Sequence, residues 1–283
     1  MTFQPNNYET DMCKLAVIQS VYKNDNPEYL KLSLESILNQ TRKDFTIFLG
    51  IDGKISDDLW NVINNIVDDR LQVIANKENR GLASMLNDLL DRCCREGYEF
   101  IARMDSDDIS VSDRFEKQLK YLYQHEDIDV VGGAINEIDG DGLDRGKQVY
   151  YPCSASQCRA FFAKRNPVAH PAAMFRRRFF EIVGWHYPTD FIRNEDTRLW
   201  LEGYKHGCKI ANLPDVVLNF RVTDDLFETR RNGKVFAKSQ LELRKIIIKQ
   251  LDYGFMSYVY AYVMYVIMIS PSWLLKAAYK FFR

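Results

Sequence analysis

The sequence predicts an α/β fold organised around a mostly parallel central sheet, and two observations support that prediction. Short apolar runs of strand length recur at residues 15–19, 45–49, 71–74, 98–102 and 128–133. A segment of helical periodicity separates each run from the next. We therefore expect a doubly wound sheet, in which ligands gather beyond the carboxyl ends of the strands.

The segments between the strands carry helix-start signals and apolar faces. Asn26 precedes Pro27, a favoured pair at a helix start. The apolar residues then recur on one face of each helix, as in Leu30, Leu34 and Ile37; Leu59, Ile63 and Ile66; Met85, Leu86, Leu89 and Leu90; Phe115, Leu119 and Leu122. A further helix is predicted to begin at residues 110–113.

Polar side chains stand where the predicted strands end. Ser20 follows the first strand, Asp52 the second and Asp105 the fourth, and Arg80 lies after the third. The carboxyl ends of parallel strands lie along one edge of a sheet, so these side chains are expected to converge on one crevice.

Three carboxylates within residues 103–108 form the most distinctive local feature. Asp105 and Asp107 point to the same side of an extended segment, and Asp108 follows directly. Such a cluster repels itself unless a cation or hydrogen-bond donors neutralise it, and hard oxygen ligands suit Mg²⁺ or Mn²⁺. The alternative is a helix N-cap with extra acids on the helix dipole. Both interpretations remain open on the hexapeptide alone.

Composition limits the class of protein. A hydrophobic content of 46% and a net charge of −1 indicate a globular chain rather than a disordered or polyanion-binding one, so no nucleic-acid partner is expected. Residues 1–11 are polar and do not resemble a signal peptide. The six cysteines form no Cys-x-x-Cys pair and the four histidines no His-x-x-x-His pair, which favours reduced thiols and disfavours zinc.

Periodicity weakens between residues 134 and 192, where mixed aromatic and polar loops are expected to hold a second substrate. His170 is a candidate to line that site, and Trp185 is a candidate platform for a sugar. A satisfied loop histidine is the alternative for His170, and core packing is the first expectation for both Trp185 and Trp200. Residues 194–196 then begin a helix, and residues 216–221 form the last predicted strand.

With these elements in place, the chain resembles the family 2 inverting glycosyltransferases, and within them the bacterial O-antigen and capsule transferases. The resemblance rests on an ordered set of motifs over residues 15–221: Ser20-Val-Tyr22, the segment 34–41, Asp52-Gly53, the segments 79–83 and 102–108, His170-Pro171, and Glu195-Asp196-x-x-Leu199-Trp200. The family implies a GT-A fold, a UDP-sugar donor and a Mn²⁺ or Mg²⁺ ion.

The resemblance also implies roles for individual residues. The nucleotide would be bound by Ser20, Tyr22, Asp52, Arg80, Asp105 and Asp107, with Asp52 facing the base. The metal would be held by Asp107 and Asp105, with Asp108 supporting the sugar or the metal shell. Asp196 would be the catalytic base, and Glu195 would orient the acceptor or cap its helix. One departure stands out, because many relatives have two consecutive aspartates where this chain has Asp52-Gly53.

The C-terminal region combines basic and apolar sequence. Seven basic residues lie between 230 and 249, and the segment 253–275 that follows carries no charge. The segment is long enough to cross a bilayer, but Pro271 interrupts it and basic residues flank both ends. We expect a helical hairpin or an in-plane anchor on anionic lipid. Packing against the catalytic domain or a homodimer partner, and a true span, remain alternatives.

Together these inferences predict a GT-A catalytic domain over residues 1–225, with a donor half at about 12–133 and an acceptor half at about 134–225, and a helical region at 226–283. The expected enzyme is cytoplasmic and lies on the inner face of the plasma membrane. It would move a hexose from a UDP-sugar to an undecaprenyl-diphosphate-linked sugar. The alternatives are a sugar-phosphate nucleotidyltransferase, disfavoured because residues 15–27 lack glycine, and a catalytically silent sugar-nucleotide-binding protein.

Overall fold

A computed structural model describes residues 14–189, 194–223 and 234–270, so Cys13, the polar N-terminus and Pro271 lie outside the described residues. The strands are β1 Leu15–Val21, β2 Thr46–Asp52, β3 Leu71–Asn76, β4 Phe100–Met104, β5 Ile109–Ser110, β6 Val130–Ile138, β7 Asp144–Val149, β8 Met174–Arg176 and β9 Ile210–Arg221. The helices are α1 Pro27–Leu38, α2 Asp57–Asn64, α3 Leu82–Glu96, α4 Arg114–Gln124, α5 Ala155–Phe162, α6 Arg177–Val183, α7 Glu195–Lys205, α8 Lys234–Gln250 and α9 Phe255–Ile269.

The strands form one sheet in the order β3-β2-β1-β4-β8-β6-β9-β5, and β7 pairs with β6 as a hairpin. The strands β3, β2, β1 and β4 are mutually parallel, as the alternation of apolar runs and helices predicts. Their carboxyl ends therefore lie along one edge, and the residues that follow them face a common cleft.

Apolar side chains cover both faces of the sheet, so the protein has three layers. Along β1, Leu15 and Val17 join one buried cluster, while Ala16 and Ile18 join the cluster on the other face. Helices α1, α2 and α4 pack on the first face, and α3, α6, α7 and α8 pack on the second. Strands buried on both faces read as continuous apolar runs, which is why the sequence revealed them.

The second half of the sheet departs from the expected parallel arrangement. The short strand β8 inserts between β4 and β6 and runs antiparallel to both. Strand β6 pairs with β9 in parallel but with β7 in an antiparallel hairpin. The prediction of a mostly parallel sheet is therefore correct for β1 to β4 and for the β6–β9 pair, and wrong for β5, β7 and β8, which pair antiparallel.

The helix start predicted at residues 110–113 is confirmed at Asp113, the N-cap residue of α4, whereas Ser110 lies in a strand. Ile109 and Ser110 form β5 against β9, and the helix begins at Arg114. The backbone N–H of Ser110 donates to Ser36 Oγ, and Gln40 Nε2 donates to Ser110 Oγ. These long-range bonds hold the segment extended, although serine and aspartate are also favoured at helix starts.

The C-terminal helices pack on the body of the protein through α8. Leu243 and Ile247 of α8 are buried in the second cluster with α7. Helix α9 turns back along α8, and Ala261 packs against Leu241 and Ile248. The outer face of α9 stays exposed, with Val263 at 47% and Val266 at 57%. Across the described ranges, no helix has the length and apolar character needed to cross a membrane.

Candidate active site

A cleft of about 930 Å³ opens at the carboxyl ends of the parallel strands. Its lining includes most of the residues predicted from the sequence, namely Ser20, Tyr22, Asp52, Arg80, Asp105, Asp107, His170, Glu195 and Asp196. The first six come from the ends of β1, β2 and β4 and the start of α3, and the last three come from the loops and helix beyond β6. Parallel strand ends thus bring together residues separated by more than half of the chain.

Three carboxylates converge at the end of β4. Ligand oxygens of Asp105, Asp107 and Asp108 lie within 4.8 Å of one another. Arg103, which is buried, forms an ion pair with Asp105. Arg103 is therefore a partner of the acidic cluster, as expected for a residue at the strand end.

Buried polar groups fix the backbone of this acidic loop. Gln19 Nε2 and Ser33 Oγ donate to the carbonyl of Asp105 over 3.0 and 2.9 Å. On the other side, Arg221 Nε donates to the carbonyl of Asp107 over 2.8 Å, and the Arg221 N–H donates to Asp108 Oδ1 over 2.8 Å. The loop is held from β1, α1 and β9, which orients its carboxylates before any ligand binds.

The Arg221 guanidinium also connects the acidic loop to the β6–β7 hairpin. Its Nη1 donates to the carbonyls of Asp139 and Gly140 at 2.9 and 2.8 Å, and its plane lies 4.0 Å from the centre of the Tyr29 ring. Arg221 is only 3% exposed. Arg221 also lines the cleft, and these contacts fix its guanidinium there.

The charge of the cluster remains incompletely neutralised. Burial raises the pKa of Asp108 well above its ordinary value, and the charges of Asp107 and Asp105 raise it further. Asp108 Oδ2 is buried and has no hydrogen-bond partner in the described structure. Burial likewise raises the pKa of Asp25 to about 7. Three clustered carboxylates with an orphaned oxygen are a donor set that fits a hard divalent cation.

Asp52 binds the backbone of the residues that lead into α3, although it lies almost 30 residues earlier in the chain. Its Oδ1 accepts from the Arg80 N–H and its Oδ2 from the Gly81 N–H, both at 2.8 Å. Asp52 is 3% exposed, so its carboxylate fixes the loop at 79–81 at the cleft. The Arg80 side chain pairs with Asp88 along the helix.

A steric constraint explains why the residue after Asp52 is glycine. Gly53 has φ +84°, and a Cβ at this position would lie 2.6 Å from the backbone nitrogen of Asn79. The close approach of the two loops leaves no room for a second aspartate, because a side chain there would push the 79–81 loop outward. The Asp-Gly departure from the family pattern thus follows from the close contact of the Asp52–Gly53 turn with the 79–81 loop.

Residues at the end of β1 and in the loop after it line the same part of the cleft. Tyr22 and Ser20 line the cleft, and the Tyr22 N–H donates to Asp25 Oδ2 over 3.0 Å. Ser106 Oγ donates to the same oxygen over 3.0 Å, so Asp25 bridges the β1 loop and the acidic loop. The Asp25–Ser106 contact joins residues 81 apart in the chain, and no local signal in the sequence predicts it.

Asp196 is held at the other end of the cleft, at the start of α7. Its Oδ2 accepts from Asn166 Nδ2 over 2.9 Å, and its Oδ1 accepts from the Thr197 N–H over 2.6 Å. Burial raises the pKa of Asp196, while the hydrogen bonds from Thr197 oppose that rise. Burial and the adjacent Asp196 charge raise the pKa of Glu195 as well. A carboxylate with a raised pKa and a fixed orientation is suited to accept a proton.

His170 and Trp185 differ in their relation to the cleft. His170 lines it, is 8% exposed, and its Nε2 lies 2.9 Å from the Tyr187 hydroxyl. Burial lowers the pKa of His170 well below its ordinary value, so the ring is neutral. Trp185 is not among the cleft residues; its ring stacks on Phe180, with the Arg177 guanidinium 5.2 Å from its centre. The structure does not bring Trp185 into the site, because this packing directs it elsewhere.

The two C-terminal helices form one wall of the cleft. Gln240 Nε2 of α8 donates to Asn194 Oδ1 over 2.6 Å, directly before Glu195. One turn later, the Arg244 side chain lines the cleft and donates to the Phe162 carbonyl. From α9, Tyr260, Met264, Tyr265 and Met268 face the same space. The sequence left packing of this region against the catalytic domain as an alternative, and α8 packs in that way; the contribution of α8 and α9 to the cleft was not predicted.

Comparison with known proteins places this architecture among glycosyltransferases. Residues 17–184 match the family described as Glycosyl transferase family 2. The chain is 32% identical over 243 residues to the amylovoran biosynthesis glycosyltransferase AmsE of Erwinia amylovora, covering 85% of this chain and 88% of AmsE. It is 29% identical over 238 residues to the UDP-Gal:alpha-D-GlcNAc-diphosphoundecaprenol beta-1,3-galactosyltransferase of Escherichia coli, covering 82% of each.

A solved structure shares the fold at lower identity. S. aureus TarS 1-349 in complex with UDP-GlcNAc has a TM-score of 0.60 and 16% identity, covering 89% of this chain and 70% of that chain. The chain spans 42% of the longer TarS chain. This likeness confirms the predicted mixed α/β fold. With the family match over 17–184 and the similarity to AmsE over most of both chains, the protein belongs to glycosyl transferase family 2.

Proposed function

We propose that the protein is an inverting hexosyltransferase that uses a UDP-sugar donor and a polyprenyl-diphosphate-linked sugar acceptor, in the synthesis of a cell-surface polysaccharide. The observation that carries this proposal is the shared cleft. The carboxylate cluster at the end of β4 and the oriented Asp196 at the start of α7 both line one space of about 930 Å³. The printed names of AmsE and of the E. coli galactosyltransferase support the substrate class.

The donor end binds and orients the nucleotide. Ser20, Tyr22 and the 79–81 loop anchored by Asp52 would contact the nucleoside, and Arg80 would lie beside the phosphates. Asp105 and Asp107 would hold a Mn²⁺ or Mg²⁺ ion, with Asp108 beside them. Such an ion supplies charge neutralisation to the departing diphosphate. The fixed backbone of the loop means that little reorganisation is needed when the donor binds.

The acceptor end activates the nucleophile. Asp196 takes the proton from an acceptor hydroxyl, whose oxygen then forms a bond to the anomeric carbon as the bond from that carbon to the diphosphate breaks. Attack opposite the leaving UDP inverts the anomeric configuration. Asn166 and Thr197 hold the Asp196 carboxylate in place, and Glu195 and the neutral His170 position the acceptor sugar.

The donor half at about 12–133 and the acceptor half at about 134–225 would divide this work, and α8 and α9 would close the acceptor side. The exposed apolar face of α9 is the proposed contact with the inner face of the plasma membrane, where a lipid-linked acceptor lies. Homodimer formation through the same face is the competing role for this surface. Family membership favours transfer over the nucleotidyltransferase alternative.

A substrate screen tests the proposal. UDP-sugars and GDP-sugars are offered with GlcNAc-diphosphate and GalNAc-diphosphate lipids, with and without Mn²⁺. We expect transfer from one UDP-sugar with inversion, dependent on added metal. Retention of configuration, or turnover with a GDP-sugar alone, would refute it. Donor binding with neither transfer nor donor hydrolysis would favour the silent-binding alternative.

A further inference from the structure

The acceptor end of the cleft changes in chemical character with distance from Asp196. Next to Asp196 the lining is polar, with Asn166 bonded to the carboxylate. Lys164 and Arg165 precede Asn166 in the chain and line the cleft beside Arg244. Beyond them, α9 contributes aromatic and apolar side chains. A polar zone, a cationic zone and an apolar zone thus follow one another along one wall.

Arg244 is a buried, partly desolvated cation at the cleft. It lies on α8 between the Phe162 ring, 5.6 Å from its guanidinium, and the cleft. Burial lowers its pKa to about 10. Among the described residues, its hydrogen bonding is limited to the Phe162 carbonyl, and it forms no ion pair with a carboxylate. The Asp196 charge opposes this lowering from a distance, but a buried cation without a direct ion pair is stabilised further by an anion that binds there.

Lys164 extends the positive charge toward α9. Its Nζ lies 5.7 Å from the centre of the Tyr260 ring, and it has no carboxylate partner in the described structure. The residues of α8 and α9 that line the cleft include no acidic side chain within the described ranges. The acids of the cleft therefore lie at the donor end and at the Glu195–Asp196 pair, while the α8 and α9 wall is positive.

The inner face of α9 continues from this cationic zone without a charged residue. Met264 and Met268 are one helical turn apart and both line the cleft, and the helix carries no charge from Phe255 to Ile269. The neighbouring outer face of α9 is apolar and exposed. A hydrocarbon chain lying along the inner face could therefore leave the cleft without crossing a polar surface.

We infer that Arg244 and Lys164 form a subsite for the diphosphate of the lipid-linked acceptor, with the lipid chain running along Tyr260, Met264 and Met268 of α9. This inference rests on the proposed function and adds a recognition element to it. The order of the three zones matches the order of sugar, diphosphate and hydrocarbon in such an acceptor. Charge-assisted hydrogen bonds from a guanidinium and an ammonium are suited to a diphosphate.

Direct binding without any donor tests the subsite. The probes are GlcNAc-diphosphate on a short phenylalkyl chain, and a GlcNAc glycoside of the same chain without phosphate. The full chain is compared as wild type, Arg244→Gln, Lys164→Gln and Arg244→Lys. The matched control is Lys238→Gln, because Lys238 is exposed on α8 and does not line the cleft. Calorimetry measures each dissociation constant, and thermal unfolding checks that each variant folds.

We expect Arg244→Gln to weaken binding of the diphosphate probe about ten- to a hundredfold, the range for lost hydrogen bonds to a charged group, and to leave the glycoside unchanged. Lys164→Gln acts in the same direction with a smaller effect, and Arg244→Lys and Lys238→Gln retain binding. Should Arg244→Gln fail to fold, Lys164→Gln decides, because its side chain is exposed.

Three outcomes overturn the inference: no binding of the diphosphate probe by the wild type, an equal loss for both probes, or no loss for either. A separate arm measures binding to phosphatidylcholine vesicles that contain phosphatidylglycerol. Weaker vesicle binding with unchanged probe binding would assign the cations to a lipid headgroup and overturn the acceptor subsite. Since no donor is present, failed sugar transfer alongside the expected binding pattern would refute the proposed function and leave the subsite standing.

Discussion

Replacement of Asp196 by asparagine removes the proposed base while keeping the shape of the side chain. The introduced amide retains an oxygen to accept from the Thr197 N–H, whereas its NH₂ group meets the Asn166 amide, which must turn over to accept instead of donate. We therefore expect the fold and donor binding to survive. Loss of a general base costs roughly 10²–10⁴-fold in rate, and we expect kcat to fall within that range.

The pH dependence provides a second, independent readout. Burial raises the pKa of Asp196, and the base works only when ionised, so wild-type kcat falls as pH decreases through that raised pKa. In Asp196→Asn, the decrease of kcat at low pH that Asp196 causes should be absent from the pH profile. Stability should move in the opposite direction to activity. A carboxylate whose folded-state pKa is raised destabilises the fold when ionised, so Asp196→Asn unfolds at a higher temperature above that pKa, and the difference shrinks as pH falls.

The assay is transfer of labelled sugar under saturating donor, with UDP release followed in parallel. Glu195→Gln is the matched control, because the neighbouring carboxyl also has a raised pKa but is assigned to acceptor positioning. We expect that control to alter the acceptor KM more than kcat. A kcat for Asp196→Asn within threefold of wild type, with the decrease at low pH intact, would refute the assignment of Asp196 as the base.

Three further predictions concern the donor site and the α9 face. Asp107→Ala should abolish metal-dependent transfer, and Mn²⁺ should no longer strengthen UDP binding in calorimetry; metal-strengthened binding in the variant would contradict the assignment. Gly53→Ala places a Cβ 2.6 Å from Asn79 N at φ +84°, so urea unfolding should show a loss of about 1–3 kcal/mol, together with a raised donor KM. Wild-type stability in this variant would mean that the two loops separate freely. The pair Val263→Ser and Val266→Ser removes exposed apolar surface from α9, and co-sedimentation with anionic vesicles should weaken about tenfold or more at roughly 1 kcal/mol per side chain. Unchanged sedimentation beside a loss of dimer would assign the face to self-association.

The first half of the fold could be predicted because its signals are local. Strands buried on both faces appear in the sequence as apolar runs. The helices between them show apolar residues at helical spacing and favoured start residues, as at Asn26 and Pro27. Strand β8 could not be predicted, because three residues are too few to show an alternating pattern. Its place between β4 and β6 also depends on long-range pairing. Ser110 shows the same limit, because hydrogen bonds from residues 36 and 40 override a local helix-start signal.

The candidate site divides in a similar way. Strand-end residues such as Ser20, Asp52 and Asp105 were predicted at the cleft because parallel topology alone brings them together. The bridging contact of Asp25, by contrast, spans 81 residues to Ser106 and leaves no trace in the local sequence. For Trp185 the sequence left both core packing and a sugar platform open, and its ring packs on Phe180.

The contacts of Arg221 bear on when during synthesis the donor site can form. Arg221 closes β9 and donates to the carbonyl of Asp107, while its backbone N–H bonds to Asp108 113 residues earlier in the chain. A nascent polypeptide that has emerged only as far as β8 can already pair its four parallel strands, yet its acidic loop lacks this anchor. The ability to bind a nucleotide should therefore develop late in synthesis, only after β9 has been translated and has paired with β6.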